Sequence, residues 1–68
     1  MPIEIVVNGE SQTAPPGQTI LGLLQHLHLD PARVAVELDR RIVKQPLWRE
    51  TVLQPGACLE IVQFVGGG

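Results

Sequence analysis

Only one stretch of this chain repeats its apolar residues at helical spacing. After Thr19, the residues Ile20, Leu23, Leu24 and Leu27 fall at i, i+3, i+4 and i+7, one stripe of an α-helix. Leu21 lies beside that stripe, and Gln25, His26 and His28 lie mostly outside it. Thr19 suits the N-cap. Gly22 occupies the position where a capping box needs Glu or Gln, and it costs the helix about 1 kcal/mol relative to alanine. Its small size lets the helix approach a neighbouring layer closely. Asp30-Pro31 closes the stretch, because a residue before proline avoids the α region. The spacing predicts a helix of about ten residues. Such a helix must lay its stripe on something else, and the rest of the chain offers strands.

Ile3, Ile5 and Val7 alternate with Glu4 and Val6, a period of two. Asn8-Gly9 follows, a dipeptide that takes the positive φ angles of a tight hairpin turn, so Glu10 to Thr13 returns as a second strand. Ala14-Pro15-Pro16-Gly17 then stops the pairing. Val34 to Leu38 reads as a third strand with Val34, Val36 and Leu38 inward, and Asp39-Arg40 as a turn. Arg41-Ile42-Val43 reads as an edge strand, flanked by Arg41 and Lys44, charges that discourage edge-to-edge pairing. Pro46 to Thr51 forms a compact loop or single turn that can bring Leu47 or Trp48 against the body. Pro55-Gly56 suits a type II turn.

The last strand runs from Cys58 to Phe64. Leu59 and Ile61 project to one side, Cys58, Glu60, Val62 and Phe64 to the other. With a helix covering one face of the sheet, the first set is core and the second faces solvent. Exposed Val62 and Phe64 then form a candidate docking patch for a partner protein. The alternative is that Trp48 or the Pro46 loop covers one of them.

With 68 residues there is room for one domain, and a core of this size is only marginally sufficient. The single cysteine excludes an intramolecular disulfide. His26 and His28, two apart, point about 200° apart on a helix and make a poor metal pair. Aliphatic packing must therefore hold the fold, which a hydrophobic content of 44% allows. A net charge of −2 with five basic residues does not suit a nucleic-acid binder. No apolar run approaches the ~20 residues that cross a bilayer, and the N-terminus lacks the features of a signal peptide, so a cytoplasmic protein is expected.

Residues 1–65 are read as the folded domain and 66–68 as a flexible tail. Gly66, Gly67 and Gly68 have no side chain to bury, and fixing them costs the most backbone entropy of any residue. Three extended glycines reach roughly 10 Å and can enter a channel too narrow for other residues. That suits a substrate of another enzyme, with Gly68 presenting its carboxylate. A merely frayed end is the plain alternative.

The order of strand, Asn-Gly hairpin, strand, helix, strand, short strand, Pro-Gly turn and final strand is similar to the ubiquitin-like β-grasp family. Within that family the chain resembles the sulfur carriers of thiamine biosynthesis. The resemblance is carried by Ile5-Val6-Val7-Asn8-Gly9-Glu10, Thr19-Ile20-Leu21-Gly22-Leu23-Leu24, Val34-Ala35-Val36-Glu37-Leu38 and above all Ile61-Val62-Gln63-Phe64-Val65-Gly66-Gly67-Gly68. It implies an α+β fold, a mixed four- to five-stranded sheet with one main helix packed on one face.

It also implies a protein that is not an enzyme and holds no cofactor. A partner adenylyltransferase of the ubiquitin-activating type would use ATP and Mg²⁺ to convert the Gly68 carboxylate to an acyl-adenylate. Sulfur from a persulfide, supplied by a donor such as a cysteine desulfurase, would displace AMP, and the resulting thiocarboxylate would serve thiazole synthase. Gly66 and Gly67 would thread the partner's channel, and Val62 and Phe64 would dock. Activation is needed because a carboxylate is a poor acyl donor until its oxygen leaves as AMP.

Three other readings share the ending: the small subunit of molybdopterin synthase, a modifier conjugated to lysine, and a β-grasp interaction module with an inert tail. Cys58 is read as an ordinary strand residue and not a sulfur relay, since it has no basic neighbour in sequence. Arg40, Arg41, Lys44 and Arg49 either meet an acidic partner or keep an edge soluble. Trp48 is read as a partial cover for the core.

Overall fold

A computed structural model describes residues 1–64 of the chain. Strand β1 (Ile3–Val7) turns at Asn8 and Gly9, whose φ angles of 51° and 82° are the pair a type I′ hairpin requires, into β2 (Glu10–Ala14). The antiparallel register runs from Ile3 opposite Ala14 to Val7 opposite Glu10, so β2 extends one residue beyond Thr13. A helix, α1 (Ile20–His26), crosses to β3 (Val34–Leu38). A second turn with two positive φ angles, Asp39 and Arg40, leads into β4 (Arg41–Val43), and the chain closes with β5 (Cys58–Gln63).

The five strands form one mixed sheet in the order β2-β1-β5-β3-β4. The last strand in sequence is thus the central one. It lies parallel to β1, with Val6 opposite Cys58 and Val7 opposite Leu59, and antiparallel to β3, with Val34 opposite Gln63 and Leu38 opposite Leu59. The short strand β4 sits at an edge, as its flanking charges suggest. One helix on a five-stranded mixed sheet is the α+β, β-grasp arrangement.

The stripe on α1 meets the sheet as its spacing requires. Ile20, Leu23 and Leu24 pack with Ile5, Val7, Val36, Leu53, Leu59 and Ile61 in one buried cluster. At the helix start, the amides of Ile20, Leu21 and Gly22 have no partner within the helix. Thr51 O accepts from Ile20 N at 3.0 Å, Trp48 O accepts from Leu21 N at 3.2 Å, and Thr19 Oγ1 accepts from Gly22 N at 3.1 Å. The Thr19 cap is therefore real, and the segment after β4 supplies the other two acceptors. That segment also brings Trp48 into the core at 3% exposure, its Nε1 donating to Val43 O at 2.7 Å, while Leu47 stays exposed.

The helix is shorter than its apolar spacing predicts: seven residues, with Leu27 as C-cap. The stop comes from His28, which takes φ 59°. His28 N donates to Gln25 O at 3.1 Å and Leu29 N to Leu24 O at 2.9 Å, the paired bonds of a Schellman ending without its usual glycine. Leu27 and Leu29 still pack on the core from beyond the helix. Asp30 then caps a 3₁₀ turn over Pro31–Arg33, its Oδ1 accepting from Ala32 N at 2.9 Å.

Candidate partner-docking face

Alternation along β5 divides its side chains between two environments. Leu59 and Ile61 point toward the helix and are 1% and 8% exposed; Val62 points to the open face and is 59% exposed. Phe64, one residue past the strand, is 57% exposed. Neither Trp48 nor the Pro46 loop covers them, since Trp48 is spent on the core. The structure therefore leaves Val62 and Phe64 exposed together at the end of the central strand.

What fixes that strand end is a set of bonds outside the regular ladder. Phe64 N donates to Arg33 O at 2.7 Å. Asn8, past the end of β1, donates from Nδ2 to Ile61 O at 3.1 Å and accepts at Oδ1 from Ile61 N at 2.7 Å. Its side-chain amide thus extends the parallel pairing by one more residue after the β1 backbone has turned away. The sequence marks Asn8 as a turn residue only; this second role joins residues 53 apart in sequence and has no local signal.

The open face also carries Val6, Cys58, Glu60, Ala35, Glu37 and Ile42, as the registers of β1, β3, β4 and β5 require. Cys58 is an exposed free thiol whose backbone amide donates to Asp39 Oδ1 at 3.1 Å. The helix-side face is not wholly covered, because α1 stops at His26. Beyond it lies a hollow of about 280 Å³ where Glu10, Gln12 and Gln63 meet Leu27 and Leu29, which explains polar residues at inward register positions.

His26 and His28 are both exposed, at the helix end and just past it. Among the described residues, no three His, Cys, Asp or Glu side chains come together as a metal-binding group would require. Arg40, Arg41, Lys44 and Arg49 are exposed. Gly66, Gly67 and Gly68, the expected channel tail and sulfur-bearing end, lie outside the described residues.

Comparison with known proteins gives a consistent picture. Residues 4–68 match the model of the ThiS family. Over 66 residues the chain is 39% identical to a thiazole synthase of Magnetococcus marinus, covering 97% of this chain but 20% of that protein. A thiazole synthase of Paramagnetospirillum magneticum is matched at 36% identity with the same coverage, so the chain spans about a fifth of these relatives' length. The sulfur carrier protein ThiS of Escherichia coli is 27% identical over 66 residues, covering 97% of this chain and all of that protein. Among solved structures, the crystal structure of a thiamine biosynthesis protein (ThiS) from Geobacter metallireducens superposes with a TM-score of 0.83 at 26% identity, covering 97% of this chain and 100% of that one.

Proposed function

This chain belongs to the ThiS family of sulfur carrier proteins, and from that premise we propose that Gly68 is the residue on which the sulfur travels. Members of the family are carriers and not enzymes, so the catalytic groups belong to partners and this chain contributes an acid group and a surface. A ubiquitin-activating-type adenylyltransferase binds the chain together with ATP and Mg²⁺. A Gly68 carboxylate oxygen attacks the α-phosphorus, pyrophosphate leaves, and a mixed anhydride with AMP results. The terminal sulfur of a persulfide, formed by a cysteine desulfurase or similar donor, attacks the carbonyl carbon and AMP leaves. A thiol then takes the remaining persulfide sulfur as a disulfide, which frees the Gly68 thiocarboxylate.

The acceptor is thiazole synthase. Relatives bearing that name contain a segment like this chain, which supports a working contact between carrier and synthase. Gly66 and Gly67 thread the narrow channels of both partners, and Val62 and Phe64 dock against them. Residues 1–65 act as the domain that presents a tail of 66–68. Among the described residues no helix is long and apolar enough to cross a membrane. The need for ATP and reduced sulfur makes the cytoplasm the working compartment.

What supports this reading most is that the family match runs on through residue 68, so the glycine run falls within it together with the fold. Deleting Gly68 tests it. The expected result is loss of ATP–pyrophosphate exchange by the adenylating partner with thermal stability unchanged. Mass spectrometry of protein from cells retaining the partners should show one oxygen replaced by sulfur, mapped to the C-terminal peptide. Mapping matters because oxidation of Met1 or Cys58 gives a nominally equal gain. Exchange that persists without Gly68 would overturn the proposal and favour an interaction module with an inert tail.

A further inference from the structure

One cross-strand pair on the open face works against the fold. In the β3–β5 ladder Glu37 stands opposite Glu60, and in the β3–β4 ladder Ile42 stands opposite Glu37. Two residues along the same face, Ala35 stands opposite Val62. Like charges directly opposed across strands are destabilising. Among the described residues neither carboxylate is hydrogen-bonded or ion-paired; the ion pair found there joins Arg33 to Asp30 at 3.7 Å. Because Ala35 is small, a notch of about 80 Å³ opens above it, walled by Ile42 and Val62 and bordered by Glu37 and Glu60. Ile42 is 76% exposed and Val62 59%.

We propose that this notch receives one basic side chain, arginine or lysine, from the surface of the adenylating partner. The notch is too small for a peptide segment and open at its mouth, so it takes a single side chain. Its floor and walls are apolar and its border carries two anions, which matches a long side chain that lays an aliphatic stem on apolar surface and carries a cation at its tip. The cation sits between Glu37 and Glu60 and relieves their repulsion, so the pair is unfavourable in the free carrier and favourable in the complex. Val62 belongs both to this notch and to the Val62–Phe64 patch, so an enzyme that engages the chain beside its tail covers the notch as well. This rests on the carrier reading above and names the chemistry by which the partner holds that same face.

The test is ATP–pyrophosphate exchange by the adenylating enzyme of the same organism, measured against carrier concentration at low and high salt. It compares the parent protein, the double variant Glu37→Gln with Glu60→Gln, Ala35→Leu, which fills the notch and leaves the charges, and Glu50→Gln as an acidic control away from the notch. The double variant should melt at or above the parent temperature, because a repulsion is removed. Its KM should rise about tenfold at low salt with the rate at saturation retained, and the gap should narrow at high salt. Ala35→Leu should raise KM at both salt concentrations, and Glu50→Gln should leave exchange unchanged.

If the parent supports exchange and both notch variants keep its KM, the notch assignment falls while the carrier reading stands. If the parent supports no exchange, both fall. Dimerisation of the parent that the double variant abolishes, with KM unmoved, would make a second copy of this chain the occupant and overturn the assignment to the enzyme.

Discussion

The two faces of strand β5 answer to different demands. On the helix side Leu59 and Ile61 are buried among Ile5, Val36 and Leu24, and their apolar area helps hold a domain with little core to spare. On the open side Cys58, Glu60 and Val62 touch solvent, and two of the neighbouring pairs, Glu37–Glu60 and Ala35–Val62, contribute little or negatively to stability. On the carrier reading proposed above, adjacent residues of one strand separate fold from function. A substitution on the inner face should lower stability and reduce partner activity only through unfolding. One in the proposed docking patch of the open face, at Val62 or Phe64, should reduce partner activity without lowering stability.

The strongest attempt to break this division is Leu59→Ala. It removes a 1%-exposed side chain from the strand shared by both ladders, and the cost should be about 2–5 kcal/mol in urea denaturation. A loss below about 1 kcal/mol would mean that β5 is not the core strand described here. Next in size is Asn8→Gly, which keeps the positive φ the turn needs but removes both side-chain bonds to Ile61. A loss of about 1–2 kcal/mol is expected, with faster amide exchange at Ile61 than in the parent. Unchanged exchange at Ile61 would reduce Asn8 to a turn residue.

Phe64→Ala belongs to the other face. It should weaken binding of the adenylating partner by about 1 kcal/mol or more, read by calorimetry, with the melting temperature unmoved. Unaltered binding would remove Phe64 from the docking patch. A drop in melting temperature with binding intact would place it in the core and erase the contrast between the faces.

Much of this division was legible in the sequence because it depends on local periods. Alternation from Cys58 to Phe64 separated Leu59 and Ile61 from Val62 and Phe64, and Asn8-Gly9, Thr19 and Pro55-Gly56 marked two turns and a cap through their own backbone preferences. What stayed hidden depends on partners far away in the chain. The central place of β5 rests on a parallel pairing with β1 that spans only Val6–Cys58 and Val7–Leu59. The Glu37–Glu60 opposition exists only once the register is known. The helix ends earlier than its apolar spacing predicts because a histidine, not a glycine, takes the left-handed position, so Leu27 and Leu29 continue the apolar pattern after the helix has stopped. Gly66 and Gly67 as channel residues and Gly68 as the sulfur-bearing end are read from the chemistry of glycine and from the family resemblance.

The smallest expected effect is that of Cys58→Ser. Cys58 is the one open-face residue with sulfur chemistry of its own, and a relay would make it indispensable. Two features oppose a relay. Cys58 begins β5 and the tail leaves from the other end, five strand steps or about 16 Å away at ~3.3 Å per residue. Reactive cysteines sit in electropositive surroundings, whereas a carboxylate, that of Asp39, is bound to the backbone amide of Cys58. Serine keeps that backbone bond and is nearly the same size, so stability should move by less than about 0.5 kcal/mol. Thiocarboxylate formation, followed as sulfur in the C-terminal peptide after incubation with the adenylating partner, ATP and a persulfide donor, should proceed at the parent rate. Loss of that sulfur with folding intact would put chemistry on the open face itself, and the face could no longer be described as a docking surface alone.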